Sequence, residues 1–112
     1  MEIEIRVESA ITVVAIQGSV DGLTSEGLSS ALGEQVRSGR TRLVADFGGV
    51  EYISSAGLRA LLGALKDTRA RGGDFRIASV SPDVRRVLEL SGFTGILKLF
   101  PDVAGAVASF LA

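Results

Sequence analysis

The sequence predicts a single α/β domain over residues 1–112, a mixed β-sheet that opens with an antiparallel hairpin and carries helices packed on it, in the order β-β-α-β-α-β-α-β-α. Two observations lead to this class. Residues 3–16 alternate apolar and polar side chains and then become β-branched, as paired strands do. From Leu23 onward, apolar stripes at helical spacing alternate with short apolar runs, which calls for parallel strands joined by right-handed crossovers.

The elements follow in order. Ile3, Ile5 and Val7 alternate with Glu4 and Arg6, so a first strand is expected there. Glu8-Ser9-Ala10 is a tight connection into a second strand, Ile11 to Ile16, ending at Gln17-Gly18. A helix is expected from Leu23 to Ser38, with Leu28, Leu32 and Val36 on its buried stripe, Thr24 and Ser25 able to cap its start, and Gly39 ending it. Arg42–Phe47 reads as a buried strand that meets Gly48-Gly49. A second helix runs from about Ser55 to Arg71, with Leu58, Leu61, Leu62 and Leu65 inward and Arg59, Lys66, Asp67 and Arg69 outward. Phe75–Val80 is the next strand. Ser81-Pro82 starts a third helix that buries Val84, Val87, Leu88 and Leu90 and ends at Gly92. A short strand over Ile96–Leu99 and a last helix opening at Pro101 complete the chain.

Composition narrows the function. Apolar residues make up 46% of the 112 and charged residues 22%, the proportions of one globular core with a wetted surface. Twelve basic and thirteen acidic residues leave a net charge of −1, without the basic excess that phosphate neutralisation requires, so direct nucleic-acid binding is not expected. With neither Cys nor His, thiol nucleophiles, Ser-His-Asp triads and the usual zinc sites are excluded, and no cofactor or metal is expected. No EF-hand spacing or Walker-type phosphate loop is present. Asp46 invites comparison with phospho-acceptor receiver domains, but the first strand leads into Glu8-Ser9 of a hairpin rather than into a magnesium-binding acidic group. The reading is therefore not an enzyme. The alternating N-terminus is unlike a signal peptide, and no apolar run approaches a bilayer span, so a soluble, cytoplasmic protein without membrane insertion is expected.

The informative segment runs from Asp46-Phe47-Gly48-Gly49-Val50-Glu51-Tyr52 to Ile53-Ser54-Ser55-Ala56-Gly57-Leu58-Arg59. It places two serines where a strand gives way to a helix. One reading is a cap, in which a Ser oxygen satisfies a free backbone N–H. The other is phosphorylation: a phosphate adds about −1.5 to −2 charges, which the helix dipole tolerates and an apolar or acidic partner does not.

This segment resembles the signature loop of STAS domains, and of anti-sigma factor antagonists in particular. Gly18-Ser19-Val20-Asp21, Leu23-Thr24-Ser25-Glu26-Gly27-Leu28 and the block from Ser81-Pro82 to Ser91-Gly92 resemble further motifs of that family, in the same order. The resemblance implies a protein-binding regulator. It would bind an anti-sigma factor that is a serine kinase with a histidine-kinase-like ATPase fold, and so free a sigma factor. ATP would belong to that partner. The kinase would phosphorylate the loop serine, here Ser55, and a PP2C-type phosphatase would reverse this. Many members carry Asp where this chain has Ser54, which makes Ser54 the alternative acceptor. Partner-facing residues carried over are Asp21, Thr24, Ser54, Ser55, Ala56, Gly57, Leu58 and Arg59.

Several of these have a second reading. Asp21 either caps the first helix or holds the turn after Gly18, or else contacts the partner or the Ser55 hydroxyl. Gly57 admits either another surface or the sheet beneath the helix. Arg59 either pairs with an acidic partner residue or stays solvated. Within the same fold, a scaffold or accessory role in stress-signalling or lipid-transport complexes is the alternative function. The small-residue C-terminal stretch Ala104–Phe110 is expected to pack on the domain rather than between subunits.

Overall fold

In the computed structural model, which describes residues 1–111, strand β1 (Glu2–Glu8) turns back through Ser9 and Ala10 into β2 (Ile11–Val20). The two pair antiparallel from Glu2↔Gln17 to Glu8↔Ile11. Ser9 and Ala10 both take positive φ, 51° and 66°. That is the two-residue turn whose twist matches the strands, although neither residue is the Gly or Asn that adopts it without strain.

β2 lies inside the sheet and β1 at its edge. Ile11, Val13, Val14 and Ile16 are buried, whereas only Ile3 of β1 is half-buried. The alternation of β1 therefore correctly indicates a strand, but Ile5 and Val7 stay exposed because no helix reaches over them.

Four further elements build the body: α1 (Ser25–Arg37), β3 (Arg42–Ile53), α2 (Ser55–Ala70) and β4 (Asp74–Ala78). They are followed by α3 (Pro82–Leu90), a single 3₁₀ turn at Phe93–Gly95, β5 (Leu99–Phe100) and α4 (Val103–Leu111). The described residues form one five-stranded sheet in the order β1-β2-β3-β4-β5, parallel from β2 onward. The larger core fills the face covered by α1, α2 and α3, with Val14, Ile16, Leu28, Leu32, Phe47, Leu61, Phe75 and Leu88 at its centre. On the other face α4 sets Ala106 and Val107 against Ile11, Val13, Val44 and Ala78. Ala104–Phe110 thus packs on the sheet, as its composition suggests.

Several expectations need correction. β3 does not end at Phe47; it runs to Ile53, and β2 runs to Val20. The added length is possible because β3 carries extra residues opposite Ala15–Gln17 and Gly18–Ser19. Gly48-Gly49 lies in the first of these irregularities, where a Cβ on Gly49 would stand 2.7 Å from Gln17 Cγ and 3.2 Å from the Ile16 oxygen. α1 starts at Ser25 rather than Leu23, since Asp21 organises a separate turn ahead of it. Leu90 is exposed, because α3 closes with Val84 and Leu88 on its inner side. The segment Ile96–Leu99 is only partly a strand: the Ile96 and Leu97 N–H groups both bond to the Phe93 oxygen, and pairing with β4 begins at Leu99. Finally, α4 begins at Val103 rather than Pro101, with the Asp102 carboxylate accepting from the Gly105 N–H at 2.7 Å. The Ser81-Pro82 start of α3 is as expected, with the Ser81 hydroxyl accepting from Val84 N–H at 3.2 Å.

The N-terminal ends of the parallel strands are tied by charge. Asp74 accepts from Arg69 Nε of α2 and from Arg76 Nε of β4, both at 2.9 Å. Arg69 reaches on to the Ile96 oxygen, and Arg76 reaches Ser109 Oγ while its guanidinium stacks on the Phe110 ring at 3.9 Å. Burial raises the Asp74 pKa, but the bonds from Arg76 and Arg69 outweigh it and hold the carboxyl below 3.8.

Two outcomes follow. Ala10→Gly removes left-handed strain and raises unfolding free energy by about 1 kcal/mol in urea denaturation. Asp74→Asn lowers it by about 2 kcal/mol at neutral pH, since charged hydrogen bonds are lost. The Asp74 contribution is present above the unfolded pKa of 3.8 and disappears as pH falls through the lower folded value. The variant therefore loses less stability on acidification than the wild type does.

Candidate functional site

β2 and β3 end side by side, with Ser19 opposite Tyr52 and Val20 opposite Ile53. From Val20 the chain turns into α1, and from Ile53 it passes through Ser54 into α2. The Ser54 N–H donates to the Val20 oxygen at 2.8 Å, so the two exits are joined. The start of α2 lies directly on this joint. A Cβ on Gly57 would stand 2.7 Å from Ile53 Cγ1, 2.8 Å from the Val20 oxygen and 2.9 Å from Val20 Cγ1.

The Asp21 turn is self-contained. Asp21 Oδ1 accepts from the Leu23 N–H at 2.9 Å and from the Thr24 N–H at 3.2 Å. The Thr24 hydroxyl accepts from the Asp21 N–H at 2.9 Å and lies 2.8 Å from the Ser19 oxygen. The Leu23 N–H bond, with help from Thr24 and against a smaller effect of burial, holds the Asp21 carboxyl below its ordinary value. Asp21 thus holds its own turn. Among the described residues its bonds go to Leu23 and Thr24, not to Ser55. Thr24 stands at the α1 N-cap position, yet its hydroxyl serves the turn instead of the helix.

The serines divide their work. Ser54 takes an extended conformation at the N-cap of α2, and its hydroxyl accepts from the Gly57 N–H at 3.3 Å. Ser55 is the first helical residue, is exposed, and has no side-chain hydrogen bond among the described residues. Ala56 is half-buried and Arg59 exposed. Gly57 and Leu58 are buried, Leu58 within the larger core. Asp46, expected at a strand end, lies within β3, where Oδ1 accepts from the Gly48 N–H at 2.9 Å and braces the irregular stretch.

The sequence reading missed two residues at this end. Leu23 is 94% exposed and Tyr52 54% exposed. Leu23 falls outside the spacing of Leu28, Leu32 and Val36, which is the signal that could have found it. Among the described residues, no group of acidic side chains could hold a metal ion, and no helix is long and apolar enough to cross a membrane.

This architecture and loop are those of a STAS domain, and the chain belongs to that family, matching it over residues 2–106. Its relatives include anti-sigma factor antagonists. BtrV of Bordetella bronchiseptica, a candidate anti-sigma factor antagonist by name, is 38% identical over 98 residues, covering 88% of this chain and 84% of BtrV. An anti-sigma factor antagonist from Mycobacterium paratuberculosis superposes with a TM-score of 0.85 at 25% identity, over 96% of this chain and 92% of that one. The phosphorylated form of Bacillus SpoIIAA shares the fold with a TM-score of 0.76 at 20% identity, over 97% of this chain and 99% of that one.

Gly57→Ala lowers unfolding free energy by about 1–3 kcal/mol, because the Val20 carbonyl and the packed, branched side chains of Ile53 and Val20 all stand in the way of the added methyl. Ala56→Gly at the neighbouring position serves as the comparison, and thermal denaturation of both variants measures the difference.

Proposed function

We propose that this chain is an anti-sigma factor antagonist whose docking is switched off by phosphorylation of Ser55. The partner is an anti-sigma factor with a histidine-kinase-like ATPase fold acting as serine kinase, and a PP2C-type phosphatase reverses the modification. One observation carries the choice of residue: Ser54 Oγ is already engaged as the helix cap, whereas Ser55 Oγ is exposed and unbonded among the described residues.

Electrostatics support the switch. α1 and α3 each carry an acidic residue in the first turn, Glu26 and Asp83, whereas α2 carries none. A phosphate on Ser55 therefore meets an uncompensated helix dipole and leaves the domain folded. In the transfer, Ser55 Oγ bonds to the γ-phosphorus of ATP held by the partner. The bond to ADP breaks, and the hydroxyl proton passes to a base on the partner. Afterwards about two negative charges stand on the first turn of α2, where a docked partner surface that is apolar or acidic would not tolerate them. Arg59, exposed on the same helix, pairs with an acidic residue of the partner.

The test is retention of partners from native lysate on wild type, Ser55→Ala and Ser55→Asp, identified by mass spectrometry. Wild type and Ser55→Ala are expected to retain an ATPase-fold kinase, and Ser55→Asp to bind it at least about tenfold more weakly, about 1.4 kcal/mol. Retention of one non-kinase partner by all three points instead to a scaffold or transport-accessory role. Phosphosite mapping that finds only Ser54 occupied overturns the assignment to Ser55.

A further inference from the structure

The sheet has two edges, and they differ. β5 exposes only Leu99–Phe100, whereas β1 exposes Glu2–Glu8. In a two-residue hairpin the residues flanking the turn form a hydrogen-bonded pair, here Glu8 and Ile11. Glu2, Glu4, Arg6 and Glu8 therefore turn their backbone groups toward β2, and Ile3, Ile5 and Val7 turn theirs outward. Sheet edges are ordinarily blunted by proline, charged side chains, a bulge or short length. β1 has no proline and a regular register with β2 throughout, and its charged residues, Glu2, Glu4, Arg6 and Glu8, are of both signs. Along the same strand Ile5 is 40% and Val7 55% exposed.

The order of side chains on β1 says what covers this edge. The sequence Glu2-Ile3-Glu4-Ile5-Arg6-Val7-Glu8 complements itself when laid antiparallel about Ile5. We propose that β1 pairs with β1 of a second copy of this chain, antiparallel and centred on Ile5, so that two sheets become one. Ile5 then faces Ile5 of the second copy, and Ile3 faces Val7 on either side. These are the residues with outward N–H and C=O groups, so every free backbone group of the strand centre finds a partner. The apolar row becomes continuous across the joint. On the opposite face Glu4 stands across from Arg6 of the second copy, twice by symmetry.

Neighbouring registers are worse. Sliding by two residues centres the joint on Glu4 or on Arg6 and sets like charges directly opposite. In the proposed register the like pairs are confined to the ends, where Glu2 meets Glu8. There Glu8 is already held by Arg6 of its own strand at 3.3 Å.

Charge exchange tests both the surface and the register. Sedimentation equilibrium over a concentration series is measured for wild type, R6E, E4R and the double variant E4R/R6E, with circular dichroism confirming that each is folded. Wild type is expected to reach the mass of two chains. R6E and E4R each replace attraction by repulsion and weaken the dimer by about tenfold or more. E4R/R6E restores it, and an equimolar mixture of R6E with E4R forms a heterodimer. A wild type that stays monomeric overturns the proposal. So does a dimer indifferent to both single changes, or one that the double exchange fails to restore. Ser55 lies on α2, so failure here leaves the phosphorylation reading standing, and the reverse holds too.

Discussion

The structure depends most on the closure of β2 against β3 at their C-terminal ends. The Val20 carbonyl receives the Ser54 N–H and at the same time supports the underside of α2 at Gly57. One carbonyl thus joins two strands and seats a helix. Any displacement there would either leave a buried polar group unpaired or drive backbone into backbone. The irregular register of β3 serves this contact, since it brings Ile53 level with Val20 despite the longer path through Gly48-Gly49.

Because α2 is fixed by that contact, its first turn has little freedom. Gly57 and Leu58 are committed to the core, and Ser54 to the cap. Ser55, Ala56 and Arg59 remain on the outer side of the same rigid element. A modification placed on such an element changes the surface without changing the fold, which is the physical requirement of a docking switch. The opposite end of the sheet has a different character. There Asp74, Arg69 and Arg76 bind α2, β4 and α4 into one ionic network, and the charges are occupied in holding the structure.

Much of the fold was legible in the residues because local signals agreed with burial. Leu28, Leu32 and Val36 define the inner face of α1, and Ser81-Pro82 defines the start of α3. The readings that went astray share a cause. Gly48-Gly49 looks like the end of a strand, since glycine weakens strands in isolation, but here it allows β3 to pass close to Gln17. Leu90 has helical spacing compatible with burial, yet nothing packs over that side of α3. Thr24 has the chemistry of a cap, but Ser19 and Asp21 claim its hydroxyl first.

By itself the sequence determined the α/β class, the order of the elements and the family resemblance, since these rest on periodicity and on short motifs that contiguous residues carry. It also confined the candidate acceptor to Ser54 or Ser55. Only the tertiary structure distinguished their surroundings, because a serine's freedom depends on which distant backbone groups reach it. The exposure of the β1 edge was decided in the same way. Ile3, Ile5 and Val7 read as a strand from their alternation, but whether a strand lies inside a sheet or at its border depends on neighbours that the strand's own residues do not specify.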